Sequence, residues 1–150
     1  MLSLRQRFPK AEIVGVEINS RSRRLARRRI AADQKIAVIR PSDVKGPFDL
    51  VFALAVLQRE PHRVLELGVT DISRYYPFDK FDAVVRQLVQ LLSPSGLLCV
   101  MHAQYRVEDS SVALELEPIA SSPTLEEPLF DRAGRRGRGG GRSLFRKRGV

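Results

Sequence analysis

Two carboxylates stand where short apolar runs of the sequence end. Glu17 closes Ile13-Val14-Gly15-Val16, and Asp43 follows Ile36-Ala37-Val38-Ile39 by way of Pro41-Ser42. An apolar run bounded by charges reads as a strand buried on both faces, the habit of parallel sheets. An acid at the tip of such a strand is solvated only at the carboxyl edge of the sheet, where open α/β folds bind ligands and where it can accept hydrogen bonds from paired hydroxyls such as those of a ribose. A surface glutamate just before a helix is also favoured by the helix dipole, and the stretch by itself leaves both readings open. His62 and His102 are the only histidines and lack any Cys/His ligand spacing, so no metal site is expected. No residue reads as a catalytic base.

The elements that position these acids follow from periodicity. Leu4 and Phe8 share a face of a short helix stopped by Pro9. After the strand Ile13 to Glu17, Asn19 or Ser20 can cap a helix whose inner stripe is Ser22, Leu25, Ala26, Arg29 and Ile30. Its other face is Arg21, Arg23, Arg24, Arg27 and Arg28, either an anion-binding surface or a solvated helix face. Strands are read at Lys35 to Arg40, Phe48 to Leu54 and Leu97 to His102, with Asp49 at the entrance of the second. Leu57 to Asp71 is irregular, and Tyr75-Tyr76-Pro77-Phe78 is an aromatic loop that covers a pocket or fills the core. Phe81, Val84, Val85, Leu88, Leu91 and Leu92 give the clearest helical pattern, ended by Ser93-Pro94-Ser95-Gly96. Past Tyr105 the pattern loosens into loop and edge structure.

At 150 residues with 43% hydrophobic content, the chain fits one domain with a real core. Its single cysteine, Cys99, excludes an intrachain disulfide and suggests a reducing, cytoplasmic setting. No stretch approaches the ~20 apolar residues of a membrane span, and no partner membrane is expected. The net charge is +9, of which the last nineteen residues carry +8 and residues 1–131 only +1, so a nucleic-acid role is read from the tail alone. The expected organisation is a domain over 1–131, a flexible Arg/Gly-rich segment over 132–142, and a terminal edge strand and tail over 143–150.

Taken in order, these motifs resemble the class I S-adenosylmethionine-dependent methyltransferases, over roughly Leu2 to Met101. The resemblance implies an α/β, Rossmann-like fold, a mostly parallel sheet with flanking helices. It implies that Glu17 holds the ribose hydroxyls of S-adenosylmethionine with Asn19 beside it, and that Asp43 meets the adenine amino group with the backbone N–H of Val44 nearby. Phe48-Asp49-Leu50-Val51-Phe52-Ala53 looks like the family's fourth-strand motif beside the methyl-donating centre, which adds Phe52 and Ala53 to the cofactor-binding set. Leu91-Leu92-Ser93-Pro94-Ser95-Gly96-Leu97-Leu98 looks like its helix, Pro-Gly turn and fifth strand.

The family's first strand and glycine loop would precede Leu2, so the resemblance implies a fold incomplete at its N-terminus, with weak or absent cofactor binding by these 150 residues. The methyl acceptor is not readable. Two alternatives accompany this expectation: a nicotinamide-dinucleotide protein, which also uses a strand-end acid for ribose, and a non-specific nucleic-acid binder acting through its Arg/Gly tail.

Overall fold

The computed structural model describes residues 1–60, 64, 66–120, 129–137 and 143–149. Its chain divides into two compact units, Met1–Lys45 and Gly46–Val150.

The first unit is a strand–helix–strand crossover. A short helix α1 (Leu2–Arg7) leads to β1 (Ile13–Val16), α2 (Ser20–Ile30), β2 (Ile36–Ile39) and a 3-10 turn at Pro41–Asp43. β1 and β2 run parallel, Ile13 opposite Ile36 and Val16 opposite Ile39. Parallel neighbours need a crossover, and α2 supplies it. Asn19 starts the helix, its side-chain oxygen accepting from the N–H groups of Arg21 and Ser22 at 2.9 and 3.0 Å. Ile30, Ile36 and Val38 are buried together, with Ala26 and Ile13 against them. Arg5 pairs with Asp33 at 2.9 Å and fastens α1 to the turn after α2.

β1 is not buried on both faces as its composition suggested. Val14 and Val16 are 37% and 51% exposed, and burial alternates along the strand. Among the described residues β1 has one strand neighbour, β2, so half of its apolar side chains stay open. The helix stripe is also narrower than expected. Ala26 and Ile30 reach the core, whereas Leu25 is 50% exposed.

The second unit is a four-stranded sheet in the order β3 (Phe48–Leu54), β4 (Leu92–Met101), β6 (Leu144–Lys147), β5 (Leu116–Ala120), with the helix α3 (Phe78–Gln90) between β3 and β4 in sequence. β3 and β4 are parallel, while β6 is antiparallel to both β4 and β5. Phe81 and Val85 of α3 are buried with Ala53, Leu98, Val100 and Phe145, with Val84 and Leu88 against them, as the periodicity predicts, and Val89, outside that pattern, is buried too. Tyr76, Phe78, Phe81 and Tyr105 form an aromatic cluster with centroids 5.3–5.9 Å apart, so this loop fills the core, while Tyr75 is 48% exposed. The Tyr105 hydroxyl donates to the Tyr76 carbonyl at 2.5 Å, and burial pushes its pKa up to about 12.

Two sequence expectations change here. Ser93-Pro94-Ser95-Gly96 does not end the helix outside the sheet but lies within β4 as a bulge, where pairing jumps from Phe48–Leu92 to Leu50–Leu97. A side chain on Gly96 would come within 2.9 Å of the Ser93 carbonyl oxygen, which explains the glycine. The second change concerns the last strand. β6 is not an edge but sits between β4 and β5, with Phe145 1% exposed, and the outer place falls to β5, whose Pro118 suits an edge.

In the segment expected to be flexible, residues 132–137 make a hydrogen-bonded turn. Asp131 accepts from the Ala133 and Arg135 N–H groups, Arg136 N–H donates to Thr70, and Gly134 adopts φ +80° so close to Ser73 that a Cβ would lie 2.7 Å from its nitrogen. The rest of that segment, 138–142, lies outside the described residues, as does His62. Among the described residues no helix is long and apolar enough to cross a membrane.

Candidate functional site

Because β1 and β2 are parallel and in register, their carboxyl ends share one edge, and the chain leaves both there. Glu17 is the first residue past β1, and its N–H donates to the Ile39 carbonyl at 3.1 Å. Its half-buried side chain turns toward α2, where Oε1 accepts from the Asn19 N–H at 2.8 Å. Among the described residues the other oxygen takes no hydrogen bond. Arg23 reaches back from α2 to donate to the Glu17 and Ile18 carbonyls at 2.7 and 3.3 Å, fixing the turn that aims the carboxylate.

Asp43 ends the 3-10 turn at the same edge, where it is already engaged. Arg40 donates to both of its oxygens at 3.0 and 3.3 Å, and the Ser42 hydroxyl donates at 3.0 Å. The Arg40 guanidinium, followed by Ser42, holds the carboxyl below the usual range. The pair is exposed, and such pairs separate at little cost. The Val44 N–H closes the turn on the Pro41 carbonyl at 3.3 Å, a long bond a ligand can replace. Glu17, Asn19, Asp43 and Val44 thus stand on one sheet edge.

Phe52 and Ala53 belong to the second unit. Ala53 is 2% exposed with its side chain in the core, while Phe52 is 52% exposed on the opposite face, beside Leu50 and Leu54. On that face Phe52 pairs across to Cys99 of β4, whose thiol pKa is raised by burial.

Sequence reasoning placed His102 at the carboxyl end of a strand, as a substrate-facing or a structural residue, but missed Ala55 at the end of β3 and the backbone conformation at both. Ala55 and His102, each just past its strand, have φ of +55° and +59°, and the Ala55 N–H donates to the Met101 carbonyl at 3.0 Å. Side chains with a Cβ pay roughly 1–2 kcal/mol in this region, and such residues gather at ligand-binding edges. Buried Gln104 holds the loop after β3 by accepting from the Arg59 N–H at 2.7 Å and donating to the Arg59 carbonyl at 2.9 Å. Gln58 Oε1 in that loop is buried and, among the described residues, has no hydrogen-bond partner. Neither alanine nor glutamine is a turn residue, so the sequence gives no signal for these roles.

No protein-family model matches the sequence, and no curated protein matches it. Among solved structures it is similar to a crystal structure of a methyltransferase from Pyrococcus furiosus, with a TM-score of 0.56 and 14% identity over 100% of this chain and 69% of that one. The likeness shows the fold: the chain has an α/β, Rossmann-like, methyltransferase-like fold, parallel in the pairs β1–β2 and β3–β4 and antiparallel where β6 joins β4 and β5.

Glu17 fits a ribose diol, since its carboxylate is held at one oxygen and open at the other. Asp43 fits a base amino group only after Arg40 and Ser42 give way.

Proposed function

We propose that the chain is a methyltransferase-type protein and that the β1–β2 carboxyl edge binds the nucleoside of S-adenosylmethionine, weakly in these 150 residues. The carrying observation is Glu17, a carboxylate fixed one residue beyond a parallel strand with an acceptor oxygen to spare. The methyltransferase-like fold supports the reading.

In this reading Glu17 accepts from the two ribose hydroxyls and Asn19 keeps its backbone in place through the α2 cap. Asp43 turns from Arg40 to accept from the adenine amino group, and the Val44 N–H leaves Pro41 to donate to the ring. When bound, the cofactor supplies an activated methyl group, so the chain's contribution is binding and alignment. Among the described residues no group of three His, Cys, Asp or Glu stands together as metal ligands would. We place the protein in the cytoplasm on its single cysteine.

Glu17→Ala is expected to weaken S-adenosylmethionine binding by roughly 1.5–3 kcal/mol, the worth of hydrogen bonds to a charged group, with the thermal transition unchanged. Isothermal calorimetry on the full chain measures the affinity and a calorimetric melt the transition, with NAD titrated in parallel. Equal affinity in the variant removes Glu17 from the site. Binding of NAD in preference makes the protein a dinucleotide binder instead.

A further inference from the structure

The near-neutral body read from the sequence conceals a strong separation of charge. Residues 1–45 hold twelve Lys or Arg against four Asp or Glu, a net +8, while residues 46–131 hold six against thirteen, a net −7. The centre of the positive unit is α2, which places Arg21, Arg23, Arg24, Arg27, Arg28 and Arg29 in eleven residues with no acid. Among the described residues none of the six pairs with a carboxylate, although Arg5 and Arg40 of the same unit do.

This pattern works against the helix itself. Arg23 with Arg27 and Arg24 with Arg28 are like charges one turn apart, and Arg21 faces the positive end of the helix dipole. A face needed only for solubility interleaves glutamate at that spacing and gains from it. Two of the guanidiniums are also fixed in place. Arg23 donates to Glu17 and Ile18, and Arg27 Nε donates to the Val38 carbonyl at 2.7 Å. Beside them Arg24 and Arg28, about 6 Å apart along the axis, are exposed and, among the described residues, their side chains make no bond. Ser20, Arg23, Arg24, Arg27, Arg28 and Ala31 line one shallow hollow of about 430 Å³.

From this geometry we infer that α2 is a docking surface for the phosphate backbone of a nucleic acid. Arginine rather than lysine is the residue suited to planar, bidentate phosphate contact, and phosphates alone supply affinity without base contacts. A membrane surface is disfavoured because α2 has no apolar face to insert, with Ile30 and Ala26 committed to the core. An acidic protein is disfavoured because, apart from Leu25, no apolar anchor stands among the arginines. This surface adjoins the nucleoside site through Arg23 and the start of α2, and it gives α2 the role that the sequence had assigned to the tail.

The test is fluorescence anisotropy of the full chain with a labelled single-stranded RNA, about 20 nucleotides long to span the ~4–16 nucleotides of a typical single-strand site, read from low to physiological salt. Arg24→Ser/Arg28→Ser is expected to weaken binding at least about tenfold and to lower the slope of log K against log salt by about 1.4, roughly 0.7 for each phosphate no longer neutralised. Among the described residues both side chains are unbonded, so the fold should persist, as the thermal transition will show; Arg21→Ser serves as a second, milder variant. Arg135→Ser/Arg136→Ser should have the smaller effect. Absence of RNA binding by the parent chain at low salt, loss confined to the Arg135/Arg136 variant, or binding to vesicles of anionic lipid but not to RNA would each overturn the inference.

Discussion

A chain ending at residue 142 should lose the cooperative unfolding transition of the second unit. β6 is the strand that joins β4 to β5, and both partners pair to it on opposite edges. Phe145 is 1% exposed within the core cluster, Lys147 Nζ donates to the Val89 and Leu92 carbonyls at 3.1 and 3.2 Å, and the Ser143 carbonyl accepts from Val100 at 2.8 Å. Removing the strand strips β4 of one ladder and takes from β5 its neighbour in the sheet. The milder variant Phe145→Ala should cost about 3–5 kcal/mol, the transfer and cavity terms of a buried aromatic. Urea unfolding followed by circular dichroism checks both. A truncated chain with an unchanged transition would show that β6 contributes nothing to this core.

The next largest effect is expected at Asp82 on α3. Its carboxylate, 8% exposed as a residue, accepts from the Ser111 N–H at 2.6 Å, the Ser111 hydroxyl at 2.8 Å and Arg86 at 2.8 Å. Burial works to raise its pKa, but the Ser111 N–H, Arg86 and the Ser111 hydroxyl together outweigh burial and leave it below 3.8. Asp82→Ala leaves the Ser111 N–H and hydroxyl unpaired and should cost roughly 2–4 kcal/mol, more than a single hydrogen bond to a charged group. The sign of the pH dependence follows from the lowered folded pKa. The carboxylate's contribution is present above the unfolded value, near 3.8, and is lost as pH falls through the lower folded one. Asp82→Asn should therefore flatten the acid limb of a stability–pH curve. An identical limb in the two proteins would remove Asp82 as its cause.

Much of the fold could be read from residue patterns, for reasons the structure makes plain. The apolar positions Phe81, Val84, Val85 and Leu88 sit on a helix with one buried face, so their period survives in the sequence. The strands at Ile13, Ile36 and Phe48 are local apolar runs and needed no partner to be recognised. β6 was a different case. Four residues with two of them basic carry little signal, and its interior place depends on β4 and β5, which are distant in sequence. Its pairing is non-local, which no window on the chain can report.

The candidate site was legible in position but not in engagement. Glu17 and Asp43 could be placed because strand ends are visible as the last apolar residue of a run. That Arg40 already holds Asp43, three residues apart across a 3-10 turn, depends on turn geometry that Pro41 only hints at. The left-handed backbone at Ala55 left no trace, since alanine does not ask for it, and at His102 the only trace was a residue type somewhat enriched there. The charge of α2 was fully visible as letters. Its weight emerged only when the chain divided at Lys45, separating a net +8 from the acidic stretch that had cancelled it.

The central claim, that the carboxyl edge of β1 and β2 holds a nucleoside, is tested most directly by amide chemical shifts. A 15N-labelled full chain titrated with S-adenosylhomocysteine should shift the amides of Glu17, Ile18 and Asn19 together with those of Asp43 and Val44, along one saturating curve. Saturable shifts confined to other residues, or no shifts at millimolar ligand, would contradict it.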